Sequence, residues 1–436
     1  MKFFTLFLSL ILSFFLFNCG NNISQPKVQN GKINLKNWDF SSNNPIKLNG
    51  SWEFYPQKFL LGDEFENYKK DTIYYPVPES WNKLPSHPGY GTYRLIIEKN
   101  SNKQKLSFKI LSIKSSYNFF INGKLIYTQG RVGKLKENSF PLITSKILHL
   151  ENLNIETLEV VIHISDFYHG EGGIWREIYL GEPEKIINHH YLSVSKDFIF
   201  FGMIFMIGLH YFSYHLIRKD RSNVFLPFSI FCISISLRIL ITEERLLVKL
   251  LPNIYSDIYI KGDYIFEFIA NASFIQFISN YFIKLQNKNK IMKLFYYSFY
   301  SLSLIIFITP SLYATDIERF FRPVIIPIGF YIIYHYRELI KQKNINAKIA
   351  LIFFSILLGV ATNDILYSLG LIESLYLLPV GIIIFISYLS FFISLNISKS
   401  FEEFKQLSNQ LEKVSEVKDN FMSNLSHELK TPLSLI

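Results

Sequence analysis

The chain has 436 residues, enough for two or three domains, and 49% of them are hydrophobic, with 42 Phe and 27 Tyr. This apolar content is high for a soluble protein and is expected of a membrane protein. The net charge is +10, but the basic residues fall between apolar stretches, where they set membrane topology, so the sequence argues against a nucleic-acid-binding protein.

The N-terminus, residues 1–19, has the layout of a secretory signal. Lys2 precedes an apolar run over residues 3–17, and Asn18-Cys19-Gly20 follows. The phrase Leu16-Phe17-Asn18-Cys19 resembles a relaxed lipoprotein cleavage box, in which Cys19 would be acylated. An ordinary signal or an uncleaved anchor is the alternative, and each of these predicts export of the segment that follows. The only other cysteine, Cys232, lies in an apolar stretch, so no disulfide framework is expected in the exported part.

Residues 30–185 are predicted to form an extracytoplasmic β-sandwich. Apolar and polar residues alternate in 93–97, 106–110 and 158–164, which is typical of strands with one buried face. Asn122-Gly123 lies between two further apolar runs and predicts a two-residue hairpin, because both positions accept a positive φ. Short strands separated by proline and glycine turns favour an all-β fold of sandwich type.

Five phrases in this region carry a resemblance: Gly50-Ser51-Trp52-Glu53-Phe54, Val77-Pro78-Glu79-Ser80-Trp81, Gly91-Thr92-Tyr93-Arg94, Ile121-Asn122-Gly123 and Gly172-Gly173-Ile174-Trp175. They resemble the jelly-roll sensor domain of bacterial seven-transmembrane receptors with diverse intracellular signalling modules. That domain is similar to the sugar-binding sandwich of some glycosidases. The resemblance therefore implies a small extracytoplasmic ligand of carbohydrate-like chemistry.

The candidate ligand-binding residues are Tyr168, His169, Glu171 and Trp175, which lie on or beside a glycine-containing loop. The alternative for Trp175, as for Trp52 and Trp81, is a place in the core, because large aromatic residues dominate small sandwich cores. Neither paired carboxylates nor metal-ligand spacing stands out in this domain, so we expect neither catalysis nor a metal site there.

Residues 191–396 are predicted to form a seven-transmembrane domain. Seven apolar stretches are long enough to cross a bilayer: 198–217, 223–241, 258–283, 292–310, 317–336, 347–370 and 375–395. Basic residues follow the first, third and fifth of them, which places those loops in the cytoplasm. With the sandwich outside, seven crossings put the C-terminus inside, and the expected location is the bacterial inner membrane.

Polar groups inside these stretches are candidates for function, because an ionisable side chain in hydrocarbon is costly. Glu267, Asn363 and Asp364 are the candidates for an intramembrane switch, whereas Arg238 lies near a span end and could extend to the surface. The phrase Ala361-Thr362-Asn363-Asp364-Ile365-Leu366-Tyr367, with Leu378-Pro379-Val380-Gly381, resembles the sixth and seventh helices of the same receptor family. We expect Asp364 to be a structural or switching group between helices rather than a proton carrier.

Residues 397–436 are predicted to begin with a coiled coil. Apolar residues follow a and d heptad spacing at Phe404, Leu407, Leu411, Val414, Phe421 and Leu425, with Lys418 as the one polar interruption. Such a pattern favours a parallel homodimer, and an amphipathic helix lying on the membrane is the alternative. In this register His427 takes position c, which faces water.

The last part of the chain carries a second resemblance. Lys418, Asp419, Phe421 and the run Ser426-His427-Glu428-Leu429-Lys430-Thr431-Pro432-Leu433 resemble the phosphoacceptor box of sensor histidine kinases. The resemblance implies that His427 accepts the γ-phosphoryl group of ATP, that Glu428 acts as the acid/base that fixes its tautomer, and that Thr431 orients water for dephosphorylation. A cognate response regulator would be the partner.

No ATP-binding domain follows the box within these 436 residues. We therefore expect no cofactor bound by this chain, and ATP and Mg²⁺ would act through a kinase domain that is missing from the reading frame or supplied in trans. A truncated or incomplete reading of a longer kinase is the favoured interpretation. The competing hypothesis is a non-enzymatic ligand-binding receptor that acts through cytoplasmic protein partners.

Overall fold

The computed structural model describes residues 25–100, 105–111, 113–150, 155–217, 224–242, 244–251, 255–282, 289–341, 345–368, 372, 374 and 377–433. The predicted signal and Cys19 lie outside these residues. The described chain forms a β-sandwich followed by long apolar helices, which confirms the predicted order of the two parts.

The sandwich contains eleven strands and one short helix among its described residues. They are β1 Lys32–Asn34, β2 Ile46–Lys47, β3 Gly50–Pro56, α1 Glu64–Asn67, β4 Ile73–Val77, β5 Tyr90–Glu98, β6 Ser107–Ile110, β7 Ser116–Ile121, β8 Lys124–Gln129, β9 Lys146–His149, β10 Thr157–Ser165 and β11 Ile178–Gly181. One sheet has the order β4-β3-β5-β10-β7-β8, with β1 added parallel to β5, and the other has the order β2-β11-β6-β9.

The core of the sandwich lies between these two sheets. Alternating residues of β5 and β10 are completely buried, including Tyr93, Leu95 and Ile162, and they pack with Phe108 from the opposite sheet. Trp52 and Trp81 are also fully buried, as the alternative for the tryptophans predicted. Burial of these large apolar side chains supplies the main stabilisation of a domain that has no disulfide among its described residues.

The predicted hairpin is present between β7 and β8. Asn122 and Gly123 both have positive φ, 48° and 75°, and Ile121 pairs with Lys124 across the turn. This geometry matches the twist of the flanking strands, which is why a residue pair tolerant of positive φ is needed there.

The helical part begins directly after β11. Its helices are α2 Pro183–Ile217, α3 Phe225–Ile241, α4 Leu246–Leu250, α5 Ser256–Phe282, α6 Asn289–Ile308, α7 Ser311–Phe321, α8 Ile325–Lys341, α9 Ile345–Ser368 and α10 Leu378–Leu433. A single 3₁₀ turn, Arg322–Val324, joins α7 to α8.

Each of the seven predicted spans overlaps a described helix, and the fifth extends over parts of α7 and α8 and the 3₁₀ turn between them. Three helical segments within the described residues are long and apolar enough to cross a membrane: Pro183–Ile217, Lys290–Ile308 and Leu378–Met422. Two shorter apolar segments are Phe225–Ile241 and Leu351–Tyr367. The helical, apolar character is therefore confirmed, and the count of seven spans stays a prediction.

Aromatic side chains connect the helices of the bundle. Phe274 of α5 lies 5.1 Å from Phe231 of α3, 6.0 Å from Phe354 of α9 and 5.4 Å from Phe385 of α10, between ring centroids. These contacts make α5 a central helix on which both early and late helices pack.

Candidate functional site

The loop between β10 and β11 contains the predicted ligand-binding residues and is docked on the helices. His169 is fully buried, and its Nε2 atom lies 2.8 Å from the hydroxyl of Tyr264 on α5. Ser311 of α7 donates a hydrogen bond of 2.8 Å to the carbonyl of Tyr168, and Arg319 donates one of 2.8 Å to the carbonyl of Gly170. The first half of this loop therefore joins the two parts of the molecule.

The tautomer of His169 follows from its neighbours. The backbone N–H of Glu171 donates to Nδ1 over 3.0 Å, so the ring proton is on Nε2 and is donated to Tyr264. Burial, together with the nearby charges of Lys114 and Arg245, holds the pKa of His169 well below its ordinary value. The ring is thus neutral in the docked loop.

The second half of the loop lines a cavity of about 860 Å³ between the sandwich and the helices. Glu171 and Trp175 face this cavity together with Lys114, which follows β6. The ammonium of Lys114 lies 4.6 Å from the centre of the Trp175 ring and 3.8 Å from a carboxylate oxygen of Glu171. Burial lowers the pKa of Lys114.

Charged side chains on the helices form another wall of the cavity. Arg238 of α3 donates to Asp263 over 2.8 Å and to Glu267 over 2.7 Å, both on α5. Arg322, in the 3₁₀ turn before α8, lies 3.7 Å from the other carboxylate oxygen of Glu267. The predicted switch residue Glu267 is therefore shared between two arginines, and Arg238 is bound in ion pairs rather than extended to the surface.

Asn363 and Asp364 lie near the end of α9 and contact the start of α10. Asp364 is 4% exposed and accepts hydrogen bonds from the backbone N–H groups of Leu377, at 3.0 Å, and Leu378, at 2.6 Å. Asn363 donates to Asp364 over 2.9 Å and accepts a hydrogen bond of 2.7 Å from Ser374. A carboxylate here satisfies amides that have no partner within the first turn of α10.

A buried ion pair fixes the sandwich to the helices at a different place. Lys109 of β6 is 1% exposed, and its ammonium lies 2.5 Å from Glu244, in the connection between α3 and α4. His190 of α2 lies 2.8 Å from the second oxygen of Glu244 and accepts at Nε2 from Lys249. Burial by itself would raise the pKa of Glu244, but the His190 hydrogen bond and the Lys109 charge outweigh it and lower that pKa to about 2.

Helix α10 connects the bundle to the predicted phosphoacceptor box. It runs without a break for 56 residues from Leu378 to Leu433, a length of about 84 Å at 1.5 Å per residue. The side chains of the predicted a and d positions Phe404, Leu411 and Val414 are 63–68% exposed. His427, Glu428 and Thr431 fall on this helix, and their side chains are outside the described part of the chain.

The sequence located part of this site and missed its strongest contacts. Glu171, Trp175, Glu267 and Asp364 all line the cavity. Lys114 was not predicted, because a single lysine beside a strand carries no sequence signal of burial. The spacing of Asp263 and Glu267, four residues apart on one helix face, was a signal that could have pointed to Arg238. Among the described residues, no cluster of three or more potential metal ligands occurs.

Comparison with protein families gives one match, over residues 195–395, to the family described as 7TM diverse intracellular signalling. This confirms the resemblance predicted for the helical domain and, with the apolar helices, identifies the chain as a membrane protein. The match ends before the box around His427, so the kinase resemblance stays a prediction. A comparison with curated proteins finds no match.

Several solved glycosidases share a fragment of similar structure with this chain. A GH2 beta-galacturonidase from Eisenbergiella tayi bound to galacturonate is 16% identical over 32% of this chain and 25% of its own, with a TM-score of 0.24. A beta-glucuronidase from Lactobacillus rhamnosus is 18% identical over 33% and 29%, with a TM-score of 0.24. The chain thus spans about a quarter of the length of these enzymes. A likeness at this level does not extend to activity.

Proposed function

We propose that the protein is a bacterial inner-membrane receptor of a two-component system, with the sandwich outside the cell membrane and the end of α10 in the cytoplasm. The family match over the helical domain supports a membrane sensory receptor. The ligand is a small extracytoplasmic molecule, and the output is phosphorylation of His427. The catalytic ATP-binding part, with its Mg²⁺, acts on His427 from a separate or further domain.

The single observation that carries this proposal is the continuity of α10. Its first residue, Leu378, lines the cavity and donates to Asp364, whereas its cytoplasmic half carries His427. A rigid helix that touches both regions transmits a shift or rotation without an intervening hinge. Ligand binding near Leu378 would then alter the presentation of His427.

The exposed apolar side chains of α10 support a homodimer. Phe404, Leu411, Val414 and Phe421 lie at a and d positions, and each is at least 62% exposed in the single chain. Such a stripe is unfavourable in water and is buried when two copies pair in parallel. Pairing would also place one copy's His427 within reach of a kinase domain held by its partner.

The test is phosphotransfer to the full chain embedded in lipid nanodiscs. We would supply ATP labelled at the γ-phosphate and a histidine-kinase catalytic domain in trans, and measure acid-labile label on the chain. Wild type should be labelled, His427→Gln should lose the label, and His210→Gln, a change at another helical histidine, should keep it.

The outcome also separates the two function hypotheses. If neither wild type nor His210→Gln is labelled while a known acceptor in the same reaction is labelled, the phosphoacceptor function is wrong. The protein would then be a receptor whose cytoplasmic helix recruits partners without phosphotransfer.

A further inference from the structure

We infer that the cavity between the sandwich and the helices binds a single-chain amphiphile with a carboxylate head group, which enters from the sandwich side. This inference rests on the proposed function, since it names the ligand class and the place where the receptor holds it.

The polarity of the cavity changes in one direction along α3, α5 and α9, and from the 3₁₀ turn into α8. On α5, the lining residues change from Asp263 and Glu267 to Phe274 and Ile275. The same order, charged at the sandwich end and apolar further away, holds along three other segments: Arg238, Ile235 and Phe231 on α3; Arg322, Ile325, Ile328 and Ile332 leading into α8; and Asp364, Ala361, Leu358 and Phe354 on α9. A ligand that fills the cavity must therefore be polar at one end and apolar at the other.

The dimensions fit a chain of medium length. Glu267 and Ile275 are eight residues apart on α5, which corresponds to roughly 12 Å at a helical rise of 1.5 Å per residue. An extended hydrocarbon tail of about ten carbons has a similar length. The cavity volume of about 860 Å³ leaves room for such a tail and a hydrated head group. At the sandwich end the cavity is lined by Lys47, whose side chain is 41% exposed, and by Asn49 and Glu79, so a ligand can enter from this side.

The charge of the head group follows from the ion pairs. Both Asp263 and Glu267 are bound to Arg238, so these carboxylates already have a cation. Lys114 is different: it is 9% exposed, and no described residue accepts a hydrogen bond from its ammonium, with Glu171 at 3.8 Å. A buried ammonium that lines a cavity and whose carboxylate partner lies 3.8 Å away favours a closer anionic oxygen ligand.

The position of the cavity explains how a bound ligand would affect α10. Its walls combine α3 and α5 with α9 and α10. The sandwich is docked on α5 through Tyr264 and on the connection after α3 through Glu244. Leu378 and Ile382 of α10 form part of the apolar wall. A tail inserted between these helices contacts α10 directly. A ligand shifts a conformational equilibrium when it contacts one arrangement of the helices more favourably than the other.

The test is equilibrium binding of radiolabelled decanoate to the full chain in phosphatidylcholine nanodiscs, with empty nanodiscs subtracted. Wild type should bind saturably, and Lys114→Met should weaken binding about tenfold or more, because a charge-assisted hydrogen bond is lost. Lys124→Met, at an exposed lysine on β8, should leave the affinity unchanged. Decanol, which has the same chain and no charge, should bind wild type and Lys114→Met equally.

A second variant tests the tail independently of the head. Ala361→Phe adds a ring in the apolar wall of α9 and should shift the preferred chain from about ten carbons to a shorter acid, a change that general destabilisation would not produce. Thermal unfolding of each variant checks that it is folded. The inference is overturned if binding equals that of empty nanodiscs, if Lys114→Met binds decanoate like wild type, or if copurified phospholipid resists displacement by decanoate.

These results separate the inference from the proposed function. Failure of decanoate to bind while His427 is still labelled removes only the ligand class and site. Saturable, Lys114-dependent binding without labelling of His427 retains the ligand site and removes the phosphoacceptor function.

Discussion

The two ends of the helical bundle differ in how their polar and apolar groups are satisfied. At the sandwich end, buried polar groups meet partners from the other domain: Lys109 forms an ion pair with Glu244, and His169 a hydrogen bond with Tyr264. At the opposite end, α10 leaves the bundle with Phe404 and Leu411 exposed to solvent. The first set of contacts forms within one chain, whereas in the proposed homodimer a second copy would cover the exposed part of α10. On the proposed function, ligand response would belong to the monomer and output to the dimer.

The largest effect is expected from breaking the buried ion pair between Lys109 and Glu244, which joins the sandwich to the helices. Lys109→Met leaves the Glu244 carboxylate buried without its cation, which costs about 3–5 kcal/mol of stability. All four tryptophans of the chain lie in the sandwich segment, so thermal unfolding followed by tryptophan fluorescence reports on this part.

The matched control for this prediction is Lys47→Met. Lys47 is 41% exposed and pairs with Glu177 at 3.1 Å, so its loss should cost no more than about 1 kcal/mol. Equal destabilisation by the two variants would show that the buried pair does not hold the joint.

The next largest effect concerns the exposed part of α10 beyond the bundle. Leu411→Lys places a charge at a predicted a position and should cost about 2–3 kcal/mol of dimer stability, at the lower end of the range for losing a buried leucine. Energy transfer between donor- and acceptor-labelled chains in liposomes should fall accordingly. Gln410→Lys, one residue away and at neither an a nor a d position, should leave the energy transfer unchanged. Loss of energy transfer in both variants would contradict the assigned a and d positions.

The sequence predicted the local and periodic features of this fold well. Alternation located β5, β6 and β10, and Asn122-Gly123 located the hairpin, because these signals depend on neighbouring residues. The contacts of His169 and Lys114 with α5 both involve Tyr264, which is about 95 and 150 positions away from them, and no local pattern records such distances. The cavity was therefore missed as a site although several of its residues were predicted.

The contact between α9 and α10 links the two ends and should show an intermediate effect. Asp364→Ala removes the acceptor of the Leu377 and Leu378 amides, which should cost about 1–2 kcal/mol, as loss of a helix cap does. Hydrogen exchange at the start of α10 should accelerate in Asp364→Ala and much less in Asp364→Asn, which keeps an acceptor oxygen. Unchanged exchange and unchanged His427 labelling in the alanine variant would contradict a role for Asp364 between the helices.

The smallest effect is the pH dependence of stability that arises from His169, where the sandwich contacts the helices. Burial and the nearby charges of Lys114 and Arg245 keep its pKa in the docked loop well below 6.5, so only the undocked or unfolded state takes up a proton as the pH falls. The contribution of His169 is fully present above pH 6.5, and about 1 kcal/mol should be lost between pH 6.5 and about pH 5.5. Thermal unfolding against pH should show a shallower slope for His169→Gln than for wild type, because the variant has no ring to protonate.

Tyr264→Phe removes the hydrogen-bond partner but keeps the buried ring, so it should lower stability at every pH and retain the slope. A slope unchanged in His169→Gln would mean that this joint does not sense protons through His169.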